Sequence, residues 1–143
     1  MYYLLGFGSN IDPETNFIAA RQQLGLFATI IAVSPALRTE TVGNTFHFPF
    51  KNQIVLIQCD LLPNILKLRL QRIETALGRE PKNPARKEKD RTIDIDILTN
   101  AKSAKECLIA DLEDSYNHEV KSLWLTQQPD ILTSITETSV HTD

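Results

Sequence analysis

The sequence predicts an α+β domain with helices packed on an antiparallel sheet. Three observations lead there. Short apolar, β-branched runs alternate with stretches of helical periodicity. Pro, Gly and Ser-Asn breaks fall between them. The chain length suits one hydrophobic core, so a single domain over 1–143 is expected.

Tyr2 to Phe7 is apolar and aromatic and stops at Gly8-Ser9-Asn10, which predicts a buried strand with Gly8 in the tight turn that leaves it. Asp12-Pro13 then reads as an N-cap before a first helical position, and Phe17, Ala20 and Leu24 keep helical spacing in a segment reaching about Phe27. Thr29 to Val33 is a β-branched strand that extends past Pro35 to Arg38, which places the proline at a sheet edge or bulge. A polar connection, TETVGNTFHFPF, leads to the apolar run Gln53 to Leu61. Pro63 opens a second helix with Ile65, Leu66, Leu70, Ile73 and Leu77 on one face, and Gly78 ends it. Pro81 and Pro84 exclude helix from 79–90, whose charge makes it a solvated loop. RTIDIDIL, 91–98, supplies the fourth strand. The order β-α-β-β-α-β is the split βαβ of a ferredoxin-like sandwich, with helices on one face of the sheet. Beyond it, Val120, Leu123 and Trp124 keep helical spacing, with Trp124 expected in the core, and the polar tail from about 132 is expected to fray.

Composition narrows the function. The chain is 42% hydrophobic and 23% charged, as in a folded globular protein, and its net charge of -3 excludes general attraction to long nucleic acid. Residues 79–91 nevertheless carry six Lys or Arg against three acids, a local excess of +3 that suits a small anionic ligand. Cys59 and Cys107 have no metal or redox spacing, and the opening MYYLLGFGSN lacks the basic flank of a signal peptide. No run approaches the length of a membrane span. A cytoplasmic protein with reduced thiols is expected.

The chemistry-bearing candidate is the alternation in RTIDIDIL. On a strand, Ile93, Ile95 and Ile97 point one way, and Asp94 and Asp96 the other, about 7 Å apart. Such carboxylates repel unless positive charge lies against them, and Mg²⁺, bound through one or two carboxylates with phosphates and waters, answers that need. An ordinary amphipathic strand is the competing reading of D-x-D alone. Arg79 and Arg91 bracket a loop bearing Lys82, Arg86, Lys87 and Lys89, which brings phosphate-binding cations to the same sheet edge. There is no Walker or dinucleotide glycine motif after the first strand, and His47, His118 and His141 lack zinc spacing.

Taken in order, Gly8-Ser9-Asn10, Arg38-Thr39 with Val42-Gly43, Phe50-Lys51-Asn52, RIETALGR at 72–79 and RTIDIDIL resemble the 6-hydroxymethyl-7,8-dihydropterin pyrophosphokinases of folate biosynthesis over about residues 1–98. That resemblance implies a ferredoxin-like fold and transfer of pyrophosphate from ATP to the pterin hydroxymethyl group, giving AMP. It implies Asp94 and Asp96 as ligands of two Mg²⁺ ions, and Arg79 and Arg91 as phosphate-binding and charge-stabilising groups. Glu74 would lie near the nucleotide. Phe50 would stack on the pterin and Asn52 hydrogen-bond its edge, with Thr39 and Val42 lining that pocket. A flat heteroaromatic ring does require an aromatic face and a group that both donates and accepts. The partners implied are ATP and a dihydropterin, with no nucleic acid and no membrane, for a monomer.

After Leu98 the sequence departs from the family pattern. It lacks the Pro-His element, and ECLIADLEDSYNHEVKSLWLTQQPDIL puts Asp111, Glu113, Asp114 and Glu119 around the replacement cations His118 and Lys121. The loop at 79–91 also lacks a lid tryptophan. Two other readings stay open at this level: a pterin- or nucleotide-binding homologue without catalysis, and an RNA-binding ferredoxin-like module. The second would need exposed aromatics and a basic sheet face, which these strands do not offer.

Overall fold

A computed structural model of the chain describes residues 1–39, 50–78 and 93–135. The elements are β1 (Tyr2–Ser9), α1 (Pro13–Leu24), β2 (Thr29–Val33), β3 (Leu37–Thr39), β4 (Phe50–Gln58), α2 (Pro63–Ala76), β5 (Asp94–Ala101), α3 (Ala104–Ile109) and α4 (Ser115–Gln127). The sheet runs β2-β4-β1-β5, with β3 also paired to β4, and these pairings are antiparallel. Each strand-helix-strand unit straddles a strand of the other: β4 separates β1 from β2, and β1 separates β4 from β5. This is the split arrangement expected from the element order.

All eight residues of β1 are buried, as are Asn52 to Ile57 in β4. Strands with two apolar faces need a layer on each side. On one side Tyr3, Leu5, Phe7, Val55, Ile57, Ile93 and Ile95 meet Phe17, Ala20 and Leu24 of α1 and Leu66, Leu70 and Ile73 of α2. On the other, Tyr2, Leu4, Ile54 and Leu56 meet Ala104, Cys107 and Leu108 of α3 and Val120 and Trp124 of α4. The expectation of helices on one face is therefore corrected: α3 and α4 form a second layer, because the unbroken apolar runs of β1 and β4 leave no side to face water. Trp124 is fully buried there, and its Nε1 donates to Gln128 Oε1 at 2.7 Å.

Local chemistry accounts for the element ends. Asp12 takes the N-cap position of α1, but with a left-handed backbone (φ 42°) and no side-chain cap; its carbonyl accepts from the Asn16 N–H. The α1 helix ends at Leu24, short of the expected Phe27. The strand expected through Pro35 is two strands, β2 and β3, interrupted at 34–36. At the break Ser34 Oγ accepts from the Ile54 N–H at 2.7 Å, and Ser34 N–H donates back to the Ile54 carbonyl. Gly78 ends α2 with φ 97°, a conformation glycine adopts without strain. Ile65, assigned above to the buried face of α2, is exposed; Glu74 is buried on that helix instead. Among the described residues no helix is long and apolar enough to cross a membrane.

Truncating Trp124 to Ala in the second layer should cost about 3–5 kcal/mol in urea denaturation. Leu26→Ala, at a side chain 84% exposed, should change stability by less than about 0.5 kcal/mol.

Candidate active site

Even-numbered residues of β4, Asp94, Asp96 and Leu98 of β5, and Gly6 and Gly8 of β1 face the α3/α4 side, since Ile54 and Leu56 belong to that layer and Leu98 meets Gly6 there. Gly8 pairs with Asn52 on one flank and with Asp94 on the other; Gly6 pairs with Ile54 and Asp96. Phe50 and Asn52 therefore share a sheet face with Asp94 and Asp96, and Asn52 lies about 10 Å from Asp94 across β1, two inter-strand spacings. The strand between them presents glycines, so the floor carries no side chain. A Cβ at Gly8 would come within 3.1 Å of Asn52 Oδ1. Gly8 was expected in a turn; it lies inside β1, and the exit turn is made by Ser9 Oγ, which accepts from the Ile11 N–H.

The two pairs differ in surroundings. Asn52 is buried and Phe50 half-buried, while Asp94 is half-buried and Asp96 exposed. Burial suits recognition of a flat ring, and exposure suits a hydrated cation. Thr39 pairs with Phe50, and Leu37 with Asn52, so β3 continues the aromatic and amide side of the floor. Val42, Arg79, Arg91 and His47 lie outside the described residues.

β5 is the sheet edge opposite β2, and α2 fastens it. Glu74, 8% exposed, accepts the Ile95 N–H on Oε2 at 2.7 Å, between the two aspartates. The resemblance put Glu74 near a nucleotide; the structure shows it hydrogen-bonded to the backbone of β5. A bulge at Leu98 turns the strand past this point: Leu5 pairs with Ile97, and Leu4 with Thr99.

From the far side, the first turn of α4 closes on the acids. Burial, the facing Asp114 carboxylate and then Asp96 and Asp94 push the Tyr116 phenol up to about 12. Asn117 is 3% exposed and lies against Gly6, where an added Cβ would meet its Oδ1 at 3.3 Å. Lys121, expected as a replacement cation, is buried and donates to the Ala110 carbonyl, which commits it to the α3–α4 connection. His118 is exposed on α4. A groove of about 410 Å³ runs along β5 from Asp96 to Leu98, with Leu70 and Lys67 on one bank and Asp111 to Asp114 and Asn117 on the other.

A carboxylate pair and an aromatic-amide pair on opposite flanks of a bare floor suit an enzyme that joins a charged group to a flat heterocycle. Residues 4–127 match the family model of 7,8-dihydro-6-hydroxymethylpterin-pyrophosphokinase. Proteins of two strains of Porphyromonas gingivalis, ATCC 33277 and W83, each named 2-amino-4-hydroxy-6-hydroxymethyldihydropteridine pyrophosphokinase, are 30% identical over 99 residues, 68% of this chain and 67% of each relative. The chain belongs to the 7,8-dihydro-6-hydroxymethylpterin-pyrophosphokinase family. It is a pyrophosphokinase acting in folate biosynthesis.

Sequence reasoning missed the glycine floor, Tyr116 and Asn117. A signal for the floor exists: Gly6-Phe7-Gly8 has the same two-residue spacing as Asp94-Ile95-Asp96, but only the register aligns them. The raised Tyr116 value fixes a pH dependence. The folded state keeps the phenol proton that the unfolded state loses near 10, so this contribution is full below 10 and is lost as pH rises through about 12. The urea midpoint should fall over that window, and Tyr116→Phe should remove the component. In Asp114→Asn, difference absorbance should place the phenol transition nearer 10.

Proposed function

We propose that the cleft over β1 performs the transfer with ATP as donor. Phe50 and Asn52, with Thr39 and Val42, bind the dihydropterin; Asp94 and Asp96 hold two Mg²⁺ ions; Arg79, Arg91 and Glu74 serve the nucleotide end. The supporting observation is the register that sets Asn52, Gly8 and Asp94 side by side on one sheet face.

The residues fit magnesium. Mg²⁺ takes one or two carboxylates and completes its octahedron with waters and phosphate oxygens, so a dedicated cage is not needed. Among the described residues no group of three or more His, Cys, Asp or Glu converges as a cage. The paired acids of β5 are what remains, on successive same-face positions and open to solvent at Asp96. Bound cations would neutralise triphosphate charge and polarise the transferred phosphoryl group.

The chain's own part is placement. The Phe50 ring offers a stacking face, and the Asn52 carboxamide can both donate to and accept from a heterocycle edge. Gly8 leaves the space through which the hydroxymethyl group passes toward Asp94. Glu74, by holding the Ile95 N–H, keeps both aspartates from swinging with a loose edge strand. The pterin oxygen then attacks the β-phosphorus in line; the new O–P bond forms as the bond from that phosphorus to the α-bridging oxygen breaks. AMP leaves with the electron pair, and the hydroxyl proton passes to solvent. Positioning and electrostatics carry such a transfer, and no covalent enzyme intermediate is involved.

The reading extends to a cytoplasmic monomer that binds no nucleic acid. Helices cover both faces of the central strands, which removes the open sheet on which RNA bases would stack.

Incubation with MgATP and 6-hydroxymethyl-7,8-dihydropterin, followed by measurement of AMP, tests the assignment. Asp94→Ala should lower turnover by at least about a hundredfold while the thermal midpoint stays close to that of the parent. Full MgATP-dependent turnover in that variant refutes it.

A further inference from the structure

Asn117 occupies an unusual position. It is 3% exposed, lines the groove beside Asp96, and its carboxamide has no hydrogen-bond partner among the described residues. A buried amide without a partner is destabilising, and such a group in a native cleft calls for a physical reason. Packing alone does not supply one, because an apolar side chain of similar size would fill the space over Gly6 without that cost.

The groove itself supplies a reason. Its α4 bank carries Asp111, Glu113 and Asp114, and Asp96 stands at its end. Ionised carboxylates only accept hydrogen bonds, so they repel an anionic ligand. Lys67 stands on the opposite bank, and Lys121, the lysine nearest to Asn117 in sequence, is committed to the Ala110 carbonyl. Asn117 is the neutral group on that bank with N–H donors. Its Oδ1 rests against Gly6, the cross-strand partner of Asp96, which leaves Nδ2 for the groove.

We infer that Asn117 is a substrate-contacting residue whose amide N–H hydrogen-bonds a phosphate oxygen of the donor nucleotide where the groove meets Asp96. This rests on the nucleotide assignment made above. It gives α4 a direct role in binding the triphosphate, in a segment whose charge otherwise opposes that ligand.

The probe is Mg²⁺ with α,β-methylene-ATP, titrated calorimetrically into the full chain and two variants. Asn117→Leu removes the amide and fills the same space. Asn117→Asp keeps the shape but replaces the donors with acceptors. Both should weaken the dissociation constant about tenfold or more, with Asp the weaker binder. The thermal midpoint of Asn117→Leu should equal or exceed that of the parent, because an unsatisfied buried group has been removed. Unchanged nucleotide affinity in both variants overturns the inference, as does an Asn117→Leu midpoint well below the parent, which reveals a structural partner. Failure of the parent chain itself to bind the probe overturns the nucleotide assignment and this inference with it. Binding by the parent with unchanged variants overturns the inference alone.

Discussion

The register of β1 against its two neighbours is the constraint on which the rest depends. Each β1 residue faces one β4 residue and, from Tyr2 to Gly8, one β5 residue, so a shift of one place would send Asn52, Asp94 and Asp96 toward the α1/α2 core. That outcome would bury carboxylates among Phe17, Leu70 and Ile73. The apolar alternation of β1, with Tyr3, Leu5 and Phe7 on one side, therefore fixes the candidate site as firmly as it fixes the core. Residues that perform no chemistry decide where the chemistry stands.

Much of the fold was legible because it rests on local signals. Pro13 and Pro63 at helix starts, Gly78 at a helix end and the Ile93, Ile95 and Ile97 alternation each act through backbone preference or burial period. The second layer was harder to read. Ala104, Cys107 and Leu108 form a six-residue helix too short for a periodic signal, and its partner strands look the same from sequence whether one face or two is covered. Ile65 was misassigned because helical spacing cannot tell which side of Leu66 faces inward when apolar residues occupy both positions. In the site, Asp94 and Asp96 were visible as a pair, but their relation to Asn52 was not, because strand register is a long-range property. Glu74 likewise contacts Ile95 across 21 positions of sequence, and nothing local announces that bond.

Charge around the cleft is asymmetric. Two cations near β4 are held on the α1 side: Arg21 Nη1 donates to Gln53 Oε1 at 2.6 Å, and Lys51 pairs with Glu14. Toward α4, carboxylates accumulate, and burial together with Asp114, Asp96 and Asp94 raises the Tyr116 phenol above its usual range. Such a field attracts cations and repels bare anions.

The sheet also has two edges, and unpaired edge strands invite another chain to add on. On one side the line of strands is broken at Ser34-Pro35, where a side-chain oxygen takes a ladder hydrogen bond and proline offers none. On the other, Glu74 occupies a donor of β5, and the bulge at Leu98 twists the strand away. The features that hold the aspartates still thus also leave fewer backbone groups of β5 open to a further strand.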